Sequence, residues 1–200
     1  MKVSGGQVID IKNTTINYHG SGMSDYSRRW LFHTDAHNRY GESTWVIGDK
    51  TTVAVNGTKL AMYTAQYHNE VQPGKAPNVG FVNKGTITTA GNENYLWMTM
   101  ADGGNIARTM YFDNQGTISM SGTGDVLGLL NAENAANGGF TFLNTGTLEL
   151  TGASQKGLIF GREYPTAEII LTKAMKLSGT KSAGIYFNKY IDLAGGKTRL

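Results

Sequence analysis

The sequence predicts an all-β protein, a parallel β-helix solenoid of about six coils with three short strands in each. Three observations lead there. A short string recurs, as Asn83-Lys84-Gly85-Thr86-Ile87, Asn114-Gln115-Gly116-Thr117-Ile118 and Asn144-Thr145-Gly146-Thr147-Leu148. Self-similarity at such a period marks units too small to bury their own apolar face, which must stack on their neighbours. After each string, apolar and polar residues alternate with period two, the pattern of a strand with one dry face. Finally, 27 glycines among 200 residues with only three prolines describe frequent tight turns between β-rich segments, with almost no helix.

Each coil reads in three parts. The first is a short apolar strand: Val8-Ile9-Asp10, Trp45-Val46-Ile47, Gly80-Phe81, Tyr111-Phe112, Phe140-Thr141-Phe142 and Ile169-Ile170. A turn follows, opened by Asp49, Asn83, Asn114 or Asn144, whose side chains are expected to stack and hydrogen-bond along the axis. Gly85, Gly116 and Gly146 in that turn suit a backbone with positive φ. The second part places Ile16 and Tyr18, Val53 and Val55, Ile87 and Thr89, Ile118 and Met120, Leu148 and Leu150, and Met175 and Leu177 inward. Asn17, Ala54, Thr88, Ser119, Glu149 and Lys176 fall on the wet face. The third part is again apolar, as in Trp30-Leu31-Phe32, Leu96-Trp97-Met98 and Leu158-Ile159-Phe160. Gly152 to Phe160 lies over Gly179 to Phe187 without a gap.

The copies differ mainly in length. Equivalent second-strand residues are 37 apart from Ile16 to Val53 and 27 apart from Leu148 to Met175, and the loop after the third strand absorbs most of the change. That loop is expected from about His33 in the first unit and Thr64 in the second. The whole chain, 1–200, reads as one β-helix segment, with a loop-rich insertion region at 20–43. Loops leaving the same corner of successive coils lie side by side, so this face is the candidate binding surface. Its candidate ligand-binding residues are Tyr26, Arg28, Arg29, His33, His37, Tyr67, His68, Arg108, Arg162 and Tyr164; Asp35, Arg39 and Tyr40 lie on the same loops. Tyr and Arg carry much of the binding energy at interfaces. Solvated connections that merely leave the core undisturbed are the plainer reading.

The chemistry that composition allows is narrow. With no cysteine there is neither a disulfide framework nor a Cys-based zinc site. A net charge of +3 on scattered basic residues, paired only at Arg28-Arg29, argues against nucleic acid. His33-Thr34-Asp35-Ala36-His37 has two histidines four apart, but the metallopeptidase pattern needs Glu where Thr34 stands, so no metal is expected. No Gly-x-Ser-x-Gly elbow occurs, Asp102-Gly103-Gly104-Asn105 is a single faint likeness to a calcium repeat, and Asp113, Asp125, Glu149 and Glu163 occupy different parts of their units. No enzyme activity and no cofactor is expected. Met1-Lys2 leads into polar Ser4-Gly5-Gly6-Gln7 without the apolar run of a signal peptide, which points to an intracellular protein or a piece excised from a longer one.

The repeat Asn-x-Gly-Thr-Ile/Leu, with Gly184-Ile185-Tyr186-Phe187, resembles the passenger domains of bacterial type V autotransporters. It is most similar to the very large fusobacterial outer-membrane adhesins, over about residues 45–193. The resemblance implies a right-handed β-helix rod displayed outside the cell, on a monomer anchored in the outer membrane through a barrel beyond this chain. It implies adhesion to a protein or glycan on a host or bacterial cell, without catalysis. The chain departs from the pattern in the fifth unit, where Leu171 and Lys173 stand in place of Asn and Gly. Competing expectations are a polysaccharide-processing or phage tailspike-type β-helix, and a scaffold that binds nothing.

Overall fold

The computed structural model describes residues 1–3, 8–22, 30–36, 43–67, 79–101, 109–132, 139–160 and 166–187. Among them there is no helix. The strands, in chain order, are β1 (Lys2–Val3), β2 (Val8–Ile11), β3 (Thr15–Ser21), β4 (Trp30–Ala36), β5 (Ser43–Ile47), β6 (Thr52–Thr58), β7 (Ala61–Tyr67), β8 (Val79–Asn83), β9 (Thr86–Asn92) and β10 (Tyr95–Ala101). Then come β11 (Thr109–Asn114), β12 (Thr117–Met120), β13 (Val126–Ala132), β14 (Gly139–Asn144), β15 (Thr147–Leu150), β16 (Lys156–Phe160), β17 (Thr166–Leu171), β18 (Met175–Leu177) and β19 (Ala183–Phe187).

Every third strand joins the same sheet. The first sheet runs β2-β5-β8-β11-β14-β17, the second β3-β6-β9-β12-β15-β18, and the third β1-β4-β7-β10-β13-β16-β19. All neighbours are parallel and in register: Phe81 pairs with Phe112 and Phe112 with Phe142, Ile87 with Ile118 and Ile118 with Leu148. The molecule is a three-sided β-solenoid. Parallel pairing follows from the sequence because each strand must travel through three corners before it meets its own copy again.

Side chains from all three sheets fill the inside. Trp45, Phe81, Phe112 and Phe142 on the first sheet, Val53, Ile87, Ile118 and Leu148 on the second, and Phe32, Tyr63, Trp97 and Leu158 on the third form one buried cluster. The phenylalanines stack along the axis, with ring centroids 5.0 Å apart for Phe81–Phe112 and 5.8 Å for Phe112–Phe142. Burying each such side chain stabilises the fold by roughly 1.5–3 kcal/mol. In-register pairing makes these contacts self-consistent, since a slip of one residue would turn the whole set outward.

The outward face of the second sheet is small and polar. Thr15, Thr52, Thr86, Thr117 and Thr147 pair in one unbroken rank, and Glu149 bonds Lys176 at 3.3 Å on its last two strands. The third sheet behaves differently at its β7: Ala61, Met62, Tyr63, Thr64 and Ala65 are all buried, so both faces of this strand are covered. This corrects one expectation. The third strands continue past the apolar triplets, to Ala36 in β4 and Tyr67 in β7, so His33 and Thr64 lie within strands and do not begin loops.

Candidate functional site

At the corner between the first and second sheets, the structure brings Asn83, Asn114 and Asn144 into a buried ladder. The Nδ2 of Asn83 donates to Oδ1 of Asn114 at 2.8 Å, and that of Asn114 to Oδ1 of Asn144 at 2.6 Å. Each of these amides also reaches a backbone carbonyl, of Thr117 and Thr147 respectively. The main chain runs the opposite way: the N–H groups of Gln115 and Gly116 both donate to the carbonyl of Asn83, and those of Thr145 and Gly146 to that of Asn114. Buried amides in this setting are held because nearly every donor finds an acceptor.

Two expectations about this corner are corrected. Asp49 is exposed and does not head the ladder; Ile47, fully buried, is the residue paired with Asn83. An aliphatic side chain offers no donor, which leaves Asn83 Oδ1 without a partner. At the other end Leu171 pairs with Asn144, whose Nδ2 turns to the carbonyl of Lys173 at 3.1 Å. Nor do Gly85, Gly116 and Gly146 adopt positive φ; among the described glycines only Gly20, Gly91 and Gly124 do. Glycine is required there for closeness. A Cβ on Gly116 would collide with the carbonyl oxygen of Gly85, and one on Gly146 with that of Gly116.

The corner between the second and third sheets has its own columns. Lys59, Glu93, Gly124, Ser154 and Lys181 all take the left-handed conformation, with φ of 57°, 53°, 68°, 56° and 57°. Each of the first four points its N–H at a carbonyl of the following coil. Within the same corner lies a buried polar column of Asn94, Asp125 and Gln155. Asp125 accepts from Thr89 Oγ1 at 2.5 Å, from the Asn94 N–H at 2.8 Å and from Asn94 Nδ2 at 3.2 Å. Burial pushes its carboxyl above the ordinary range, against the pull of those hydrogen bonds and of the Gly122 N–H. Gln155 Nε2 donates to the carbonyl of Gly122 at 2.7 Å, while its Oε1 is buried without a partner. The sequence carries a signal for this column that composition and motif searches miss: Gly91, Gly122 and Gly152 each precede the polar residue by three positions.

On the third sheet, His33 is buried with its Nδ1 2.7 Å from Thr64 Oγ1, and its ring stacks on Trp30 with centroids 4.6 Å apart. Beside it Thr34 Oγ1 accepts from Trp45 Nε1 at 3.1 Å and from the Tyr63 hydroxyl at 3.2 Å. Loss of solvent raises the Tyr63 hydroxyl far above its ordinary range, so it acts only as a neutral donor. Tyr67 closes the backbone of β7. Tyr26, Arg28, Arg29, His37, His68, Arg108, Arg162 and Tyr164 lie outside the described residues. Among the described residues, no three His, Asp or Glu side chains come together in a way that could hold a metal ion.

The described corners supply stacking, not a reactive constellation: amides, hydroxyls and one carboxyl facing one another across coils. No family model, curated protein or solved structure matches this chain.

Proposed function

We propose that this chain is a non-enzymatic segment of a bacterial surface adhesin. In this reading it is a right-handed β-helix rod of about six coils whose unequal loops bind a protein or glycan on a host or bacterial cell. One observation carries the proposal. The connections that follow β4, β7, β10, β13 and β16 all leave the third sheet and enter the first, so they share one corner of the solenoid while differing in length. A repeat that keeps its core constant and varies one corner concentrates its chemical diversity on one face. The Tyr and Arg residues of those segments are the types that anchor interfaces. A rod built from stacked corners needs no disulfide, in keeping with the absence of cysteine. In the parent protein this segment is displayed outside the cell.

The test is attachment. Purified chain immobilised on beads is offered to bacterial and host cells and to a glycan array. Changing Arg108, Arg162 and Tyr164 on those connections, with Tyr67 at the end of β7, together to Ala is expected to lower attachment by about tenfold or more, the loss that follows from removing one or two interface anchors. Unaltered attachment by a variant with an unchanged melting curve would reject the loop face. Release of reducing sugar from any polysaccharide on the array would move the assignment to the polysaccharide-processing class.

A further inference from the structure

The outward side of the first sheet differs from the rest of the molecule in charge and in one side chain. Its six strands carry Asp10, Asp113 and Glu168 but no Lys, Arg or His, although the chain as a whole has a net charge of +3. Asp10 is neutralised by Lys12 at 2.7 Å. Asp113 has no such cation among the described residues. Its Oδ2 accepts from the neutral amide of Gln115 at 2.6 Å, and its Oδ1 is shielded without a partner. This carboxylate therefore keeps acceptor capacity that the chain itself leaves unused.

Two residues earlier, on the same side of β11, Tyr111 is laid along the axis. Across the coils it pairs with Gly80, and Gly80 pairs with Thr44. The ring crosses Gly80, where a Cβ would overlap Cζ and the hydroxyl, and that hydroxyl lies 2.9 Å from Thr44 Oγ1. A glycine inside a strand weakens it, and one reason to find it there is the close approach of another group. Here that group is the ring, which rests on the backbone of one coil and is tethered to the next. Tyr111 is still partly exposed, so the outer side of its ring is presented to solvent. Held at both ends, the ring is in place before anything binds.

We propose that Tyr111 and Asp113 form a docking site for an arginine side chain of a partner protein. The proposal rests on the adhesin reading and narrows its partner to a protein with a basic segment. A guanidinium answers both groups: its planar cation is attracted by the ring face, and its N–H fork pairs with the carboxylate. Two residues on one side of a strand stand about 6.5–7 Å apart, close enough for one side chain to lie on the ring and reach the acid. Val82 and Leu143, on either side of Asp113, give its aliphatic stem a dry surface. Glu168 pairs with Thr141, the neighbour of Tyr111, and adds attraction for further basic residues. A sugar could also lie on the ring, but an uncharged ligand makes no use of the acidic sign of this face.

NMR of the chain with labelled tyrosine rings tests this directly. The probes are a nonapeptide of glycine and serine with one central arginine, and the same peptide with citrulline, which has the same shape and no charge. The arginine peptide is expected to shift the Tyr111 signals saturably and to lose affinity with added salt, and the citrulline peptide to bind about fivefold or more weakly. Tyr111→Ala, Asp113→Asn and Gly80→Ala, whose Cβ takes the place of the ring, should each weaken the arginine peptide by about threefold or more. Should Gly80→Ala fail to fold, the other two, both on the outward side, decide. The loop variant at Tyr67, Arg108, Arg162 and Tyr164 should bind the arginine peptide unchanged. Cell attachment that persists while the arginine peptide leaves Tyr111 unshifted overturns this site and spares the adhesin reading. Equal binding of the citrulline peptide, undiminished binding by Tyr111→Ala, or a response at Tyr111 to lactose or chitobiose alone also overturns it.

Discussion

At the scale of single residues, this solenoid is held by side chains that repeat a contact every coil. Asn114 is the clearest case, because it both accepts from Asn83 and donates to Asn144 within the buried corner. Asn114→Ala strands a donor below and an acceptor above, and should cost about 1–3 kcal/mol for each group left without a partner. The companion change probes the ladder's unfinished end. Ile47→Asn offers an amide to the orphaned Asn83 Oδ1, whereas Val53→Asn, equally buried, meets only apolar neighbours on the second sheet. Ile47→Asn should be milder than Val53→Asn by about 1 kcal/mol or more in urea denaturation. Equal losses at the two positions would mean that the ladder contributes nothing beyond packing.

At the scale of elements, each strand survives by facing its copies above and below. The four-residue β15 keeps Leu148 and Leu150 buried between Ile118 and Met120 on one side and Met175 and Leu177 on the other. A carboxylate at Leu148 would sit between the apolar Ile118 and Met175 within the buried core cluster, and burying it unpaired costs more than one strand can return. Leu148→Asp should abolish the cooperative melt of the central coils or lower its midpoint by more than about 15 °C, given that 1 kcal/mol moves a chain of this size by about 2–4 °C. Circular dichroism at rising temperature reads this. An unchanged melt would remove the register on which the core is built. On the wet face of the same strand, the exposed pair of Glu149 and Lys176 contributes at most about 1 kcal/mol.

At the scale of the whole molecule, stability is a sum over neighbouring coils, and it is uneven. Core positions of the middle coils, such as Val55, Ile87, Ile118 and Leu150, are at 0% exposure, while the equivalent Leu177 in β18 reaches 42% and Tyr18 in β3 is half-buried. Among the described residues the first and last coils pair on one side only, so opening one of them sacrifices one interface where opening a central coil sacrifices two. Amide hydrogen exchange should therefore be fastest in β2, β3, β18 and β19 and slowest in β8, β9 and β12. Uniform protection along the axis would show that the chain opens as one unit.

How much of this was legible beforehand follows from the range of each interaction. Strand, corner and inward face depend on period-two alternation and on Gly and Asn spacing, which are local in sequence; hence Ile87, Ile118, Leu148 and the Asn83, Asn114 and Asn144 repeat could be placed from the string alone. The roles that depend on the neighbouring coil could not. Gly116 reads as a turn residue with positive φ, yet what excludes a side chain there is the carbonyl of Gly85, 31 residues earlier. Asp49 reads as the first rung, but pairing across coils gives that place to Ile47. His33 reads as a loop ligand because it follows the apolar triplet Trp30-Leu31-Phe32 and precedes polar Thr34 and Asp35, while its ring lies buried against Thr64 of the next coil. Asp125 looked like one scattered carboxylate and proved to share a buried corner with Asn94 and Gln155. The sequence by itself determined the repeat, the all-β class and the inward face, since these arise within one coil. Only the tertiary structure decided which side chains meet across coils, because stacking register is set by the packing of whole units and is not written in any one of them.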